Sequence, residues 1–136
     1  MKKPLPVPTP DTRPFWNGLG EGRVMLRHCR DCDTVFHYPR IVCPGCLSSN
    51  LDWRPARGTG TLYTYTVSRR PTHPLFADEV PQILAVVELD EQPGLWVMTN
   101  IVGCEPASVF IGQRVRAQFE AHDDVWLPLF TPEDAT

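Results

Sequence analysis

A mainly β architecture, with one short helix and a metal-held ribbon ahead of a small barrel, follows from three features of this 136-residue chain. Fifteen prolines, where a background near 5% gives about seven, remove backbone donors and break long helices. Two Cys-x-x-Cys pairs occupy the first half of the chain, and runs of β-branched and aromatic residues fill the second. The expected organisation is a proline-rich arm and short helix in residues 1–22, a ribbon in 23–57 and a barrel in 58–136.

Residues 1–10 contain four prolines and read as an extended, solvated arm. Thr12 is placed to cap a short helix that tolerates Pro14 in its first turn and carries Phe15, Trp16 and Leu19 inward. Gly18, Gly20 and Gly22 end it quickly. Phe15 and Trp16 are expected to cover an edge of the core, with docking onto a partner protein as the alternative. The N-terminus lacks the apolar stretch of a signal peptide, and no run approaches the roughly 20 apolar residues of a membrane span. The chain is therefore read as cytoplasmic, off the membrane and kept reduced.

After Gly58-Thr59-Gly60 the signals are strands. Thr61 to Val67 alternates β-branched and aromatic residues. Ile83 to Leu89 is nearly continuous apolar sequence that ends in the turn Asp90-Glu91-Gln92-Pro93-Gly94, and Leu95 to Val102 resumes, so the two form a hairpin. Val115, Ala117 and Phe119 alternate with polar residues, as in a strand with one wet face. His122-Asp123-Asp124 reads as a turn into a fifth strand, Val125 to Phe130, frayed at Pro128. Five short strands without a long helix fit the five-stranded OB-fold.

Cys29-Arg-Asp-Cys32 and Cys43-Pro-Gly-Cys46, ten residues apart, are the strongest signal in the chain. Each turn presents two sulfurs with backbone amides directed at them, and two turns complete a tetrahedron with Zn–S near ~2.3 Å. Four thiolates fill that sphere, so the metal is structural, and it supplies the stability a ribbon of this size lacks. Zinc is expected, with iron as the alternative in the same geometry. His28 and His37 flank the motif as solvated or supporting groups. The fifth thiol, Cys104, has acidic and apolar neighbours that do not activate it. The chain contains no Gly-x-Ser-x-Gly elbow, phosphate loop or dinucleotide fingerprint, and so no catalytic set.

The net charge of −3 is unevenly spread: residues 1–22 carry +1, 23–57 carry +3, and 58–136 carry −7. A basic ribbon beside an acidic barrel makes a docking surface of two polarities and disfavours a nucleic-acid partner. Single-stranded nucleic-acid binding, with Tyr63, Tyr65 and Trp96 as stacking platforms, is the alternative from a different class.

The ordered series Pro14-Phe15-Trp16, Glu21-Gly22-Arg23, Cys29-x-x-Cys32, Pro39-Arg40, Cys43-Pro44-x-Cys46 and Gly58-Thr-Gly60 resembles the DUF35 family, rubredoxin-like zinc ribbons joined to an OB-fold. Val87-Glu88-Leu89-Asp90, Ile111-Gly112-Gln-Arg-Val115 and Pro128-Leu-Phe130-x-Pro132 extend the likeness over about residues 12–132. Asp33 departs from it, standing where a glycine often follows the first cysteine pair. The resemblance implies a non-catalytic accessory subunit of a thiolase-type acyl-CoA complex, which stabilises its partner and shapes its acyl-CoA site, with a coenzyme A thioester as candidate ligand of the complex. A steroid side-chain aldolase or hydratase is the alternative partner. Arg69, Arg70, His73 and Phe76, in a proline-bounded loop after the first barrel strand, are the candidate contacts to partner or acyl-CoA, because arginine suits phosphate and carboxylate groups.

Overall fold

The computed structural model describes residues 4–133. Helix α1 (Arg13–Gly20) is followed by β1 (Met25–Cys29), β2 (Val35–Phe36) and β3 (Leu51–Pro55), which form a three-stranded antiparallel sheet in the order β2-β1-β3. Strands β4 (Thr59–Ser68), β5 (Gln82–Leu89), β6 (Trp96–Ile101), β7 (Arg114–His122) and β8 (Val125–Pro132) close a barrel in the order β4-β5-β6-β8-β7. This is the expected five-stranded OB-fold behind a ribbon and a short helix.

The barrel strands alternate because only one face of each can be buried. In β5, Ile83, Ala85, Val87 and Leu89 point inward, whereas Leu84, within the same apolar run, is 43% exposed. Leu62, Val115 and Phe130 complete a core in which truncation of any one large side chain costs about 2–5 kcal/mol. Closure depends on Gly60. A Cβ there would stand 2.5 Å from the Glu88 carbonyl oxygen, because β4 is squeezed between β5 and β7 at that residue.

The ribbon is fused to the barrel rather than strung beside it. Leu26 of β1 is 1% exposed and belongs to the barrel's own apolar cluster, with Val35 and Ala56 packed against it. A second cluster, Phe15, Leu19 and Val24, seats α1 against β7 and β3 through Phe119 and Trp53.

Three local expectations change. The arm, whose residues 1–3 lie outside the described residues, is not simply solvated from Pro4 onward: Leu5, Pro6 and Pro8 are half-buried, and Pro4 and Leu5 line a cleft against the barrel. Thr12 sits at the helix start but does not cap it, because its hydroxyl accepts the Thr9 N–H (2.9 Å) and serves the preceding turn. Finally, β8 does not fray at Pro128; Pro128 stands opposite Phe119 and the ladder with β7 runs on to Pro132.

Candidate metal centre

The two cysteine turns have the same backbone geometry. Cys29 N–H donates to the Thr34 carbonyl and Asp33 N–H to the Cys29 carbonyl, both at 2.8 Å. In the second turn Cys43 N–H donates to Ser48 (2.8 Å) and Leu47 N–H to Cys43 (2.9 Å). The residue after each second cysteine, Asp33 and Leu47, adopts the left-handed conformation with φ of 64°. The two turns therefore face one another as near-copies, and the Sγ atoms of Cys29, Cys32, Cys43 and Cys46 all lie within 4.8 Å of each other. Cys29 to Cys46 and Cys32 to Cys43 are each 3.6 Å. A tetrahedron with metal–sulfur bonds of about 2.3 Å has edges near ~3.8 Å, so the four sulfurs fit one zinc ion.

The surroundings are built for thiolates. The Thr34 hydroxyl, 3.1 Å from Cys32 Sγ, and the Thr34 backbone lower the Cys32 pKa to about 6. Gly45 N–H donates to Cys43 Sγ at 3.3 Å. Cys46 is pushed up to about 12: the Ser48 backbone pulls it down, but contact with Cys29, desolvation and the other two sulfurs outweigh that. Four sulfurs this close cannot all ionise without a cation among them. When bound, zinc cross-links the two turns and leaves no position open for water or substrate.

Around the sulfurs a polar frame fixes the turns. Asp31 accepts hydrogen bonds from the Ser48 hydroxyl and from Asn50 Nδ2 (3.1 Å), joining one turn to the other. His28, 5% exposed, lies with Nδ1 2.8 Å from Asp52 and Nε2 2.5 Å from Asp33. The Asp33 hydrogen bond, with that of Asp52, raises its pKa against the effect of burial. It is therefore a buried supporting ring held between two carboxylates, not a solvated one. His37 stacks on Phe15 (5.2 Å between ring centres) and Tyr38 (4.0 Å), and burial lowers its pKa to about 4.

The candidate contact loop is not gathered into one site. Arg69, Arg70 and His73 are exposed, and His73 Nδ1 accepts the Leu75 N–H (3.1 Å) to cap the 3-10 turn Pro74–Glu79. Phe76 turns away into a cleft of about 410 Å3 at one end of the barrel, which it shares with Cys104, His122 and Leu5. Cys104 is half-buried against the barrel core.

Sequence reasoning did not single out Gln92. Its side-chain amide accepts the Val35 N–H (3.1 Å) and donates to the Val35 carbonyl (3.0 Å), linking the ribbon to the β5–β6 turn. Tyr38 makes a second link, its hydroxyl accepting the Met98 N–H at 3.0 Å. Only the turn chemistry around Gln92 was visible in the sequence, because its partner lies 57 residues away.

Among the described residues no helix is long and apolar enough to cross a membrane.

Comparison with known proteins matches two family models in tandem: the ChsH2 rubredoxin-like zinc ribbon domain over residues 16–52 and the ChsH2 C-terminal OB-fold domain over residues 53–120. The chain is 36% identical over 131 residues to a probable enoyl-CoA hydratase alpha subunit of Thermomonospora curvata, covering 96% of this chain and 40% of that protein. It is 38% identical over 92 residues to a DUF35 domain-containing scaffold protein of Methanothermobacter thermautotrophicus, covering 67% of each. A solved chain of the Ltp2-ChsH2(DUF35) aldolase superimposes with a TM-score of 0.83 at 36% identity, over 94% of this chain and 98% of that one. The chain thus spans less than half of the hydratase subunit but nearly all of the aldolase chain. With its two tandem domains, four-cysteine ribbon and closed five-stranded barrel, the chain belongs to the DUF35 family of ChsH2 type.

Proposed function

We propose that this protein is a zinc-ribbon accessory subunit of a hetero-oligomeric enzyme acting on acyl-CoA thioesters, and that its partner supplies the reacting groups. The observation that carries this reading is the end-to-end superposition on the DUF35 chain of an aldolase. The relative named as an enoyl-CoA hydratase alpha subunit points to the same substrate class. These likenesses favour an aldolase or hydratase partner over the thiolase-type enzyme expected first. The metal centre fits a structural role, since four cysteine ligands close the coordination sphere. Arg69 and Arg70, exposed in the loop after β4, are the proposed contacts for the phosphates of coenzyme A at the partner's boundary.

Affinity purification of the tagged chain from its native host, followed by mass spectrometry, tests the reading. The expected result is a stoichiometric aldolase, hydratase or thiolase subunit. Assays of the complex for retro-aldol cleavage, hydration and thiolysis of acyl-CoA then assign the reaction. Recovery of this chain alone overturns the proposal. Unchanged activity and KM for acyl-CoA in the complex carrying Arg69→Ala with Arg70→Ala overturns the assignment of those two residues.

A further inference from the structure

Where α1, the ribbon and the barrel meet, an open groove of about 390 Å3 runs between Phe15 and Trp16 of the helix, Tyr38 of the ribbon, and Met98, Leu127 and Pro128 of the barrel. Most of its polar groups are engaged within the chain; the exception is His37, which also lines it and whose Nδ1 is buried without a hydrogen-bond partner. The Thr99 hydroxyl donates to the Pro128 carbonyl (3.0 Å), Asn100 Nδ2 to the Ile83 carbonyl (3.2 Å), and the Tyr38 hydroxyl accepts the Met98 N–H. A small-molecule site keeps several convergent polar groups for its ligand, and here a single ring nitrogen is left over while the others serve the fold.

The apolar surface also continues past the groove. Met98 is 72% exposed and Tyr38 50%. Trp96, two residues before Met98 on the same face of β6, is 45% exposed, and its ring lies 5.0 Å from that of Tyr63, itself 50% exposed. A contiguous run of aromatic residues and methionine is the composition of a buried interface centre, and it is wider than one small ligand covers. The flanks are net positive: exposed Arg13 and Arg40 directly follow the groove residues Thr12 and Pro39, on the helix and on the +3 ribbon, against one exposed carboxylate, Asp11, directly before Thr12. Nearby Asp11 is electrostatically coupled to Arg27.

We infer that this groove, with the face formed by Tyr38, Met98, Trp96 and Tyr63, is the surface on which the partner subunit docks, and that the partner presents an apolar segment flanked by carboxylates. The inference rests on the accessory-subunit reading and adds the location and chemistry of the contact. Aromatic side chains and methionine supply the desolvated anchor, and the two arginines select the sign of its border.

Hydroxyl-radical footprinting of the complex purified from the native host, set against the isolated chain, tests it. Protection of Tyr38, Trp96 and Met98 in the complex is expected. With purified partner, Met98→Asp should raise Kd at least tenfold, Met98→Lys should do so less, and Arg13→Glu with Arg40→Glu should weaken binding and flatten its salt dependence. Met98 is exposed, so circular dichroism should show each Met98 variant folded. A complex of unchanged affinity in which Tyr38 and Trp96 stay reactive overturns the inference and leaves the accessory-subunit reading standing. Failure to recover any complex overturns both. A concentration-dependent dimer of the isolated chain that Met98→Asp dissolves assigns the groove to a second copy and overturns the inference, as does a co-purifying apolar small molecule that protects the same residues.

Discussion

The side chain of Gln92 hydrogen-bonds both the N–H and the C=O of Val35, 57 residues earlier in the chain, so one amide plays the part of a neighbouring strand. Gln92→Ala leaves two part-buried backbone groups of β2 without partners and should destabilise the protein by about 1–3 kcal/mol in urea denaturation. Gln92→Glu keeps the bond to the N–H but sets a carboxylate oxygen against the carbonyl. Its destabilisation should be larger at pH 7 than at pH 4, where the acid is protonated and can donate. Equal loss at both values would show that the amide's donor is not used.

The metal should be present at one ion per chain by elemental analysis. Cys29→Ser or Cys43→Ser, each removing a fully buried ligand, should abolish stoichiometric zinc and melt the ribbon, since structural zinc contributes on the order of 10–16 kcal/mol in small domains. Because Leu26 and Val35 tie the ribbon to the barrel core, the loss should also lower the barrel's melting temperature. A barrel that melts unchanged after metal removal would contradict that coupling.

The paired left-handed residues make opposite predictions for one substitution. Leu47, with φ of 64° and 73% exposed, gains from Leu47→Gly, which should stabilise by about 0.5–1 kcal/mol. Asp33 has the same φ but holds His28. Asp33→Gly relieves the same backbone cost while removing that hydrogen bond, so it should be neutral or destabilising in chemical denaturation.

Acid should weaken the fold in two stages. His37, lowered to about 4 by burial, stays neutral in the folded protein while the unfolded chain takes up a proton near 6.5. Stability therefore falls as pH drops from about 6.5 to 4 and levels off below. Asp90 is held at about 2, chiefly by the paired hydrogen bonds from Arg114, both at 2.7 Å. Its contribution is complete above an ordinary carboxyl pKa near 3.9 and is lost as pH falls through about 2. Melting temperature against pH should lose the first stage in His37→Phe and shrink in the second in Asp90→Asn.

What the sequence made legible was local. The four ligands, the hairpin from β5 to β6 and the alternation of β7 each depend on residues a few positions apart, where spacing alone carries the signal. The likeness to DUF35 proteins rested on the order of such local pieces. The bracketing of His28 by Asp33 and Asp52, the bond between Tyr38 and Met98, and the folding back of Leu5 depend on which distant segments meet, and no short pattern encodes that. Asp33 stands out in the sequence because a glycine is common at its position. Its counterpart, Leu47, occupies the same place after the second cysteine pair and could have been found by the same comparison.

The burial of Leu26 inside the barrel, together with the links from Val35 and Tyr38, removes any swivel between the metal end and the barrel end of the molecule. A protein that meets the ribbon and the barrel together thus meets them at a preset angle, so little conformational freedom remains to be surrendered on contact. Recognition then behaves as the fitting of one stiff template, and a mismatch at either end is felt along its whole length.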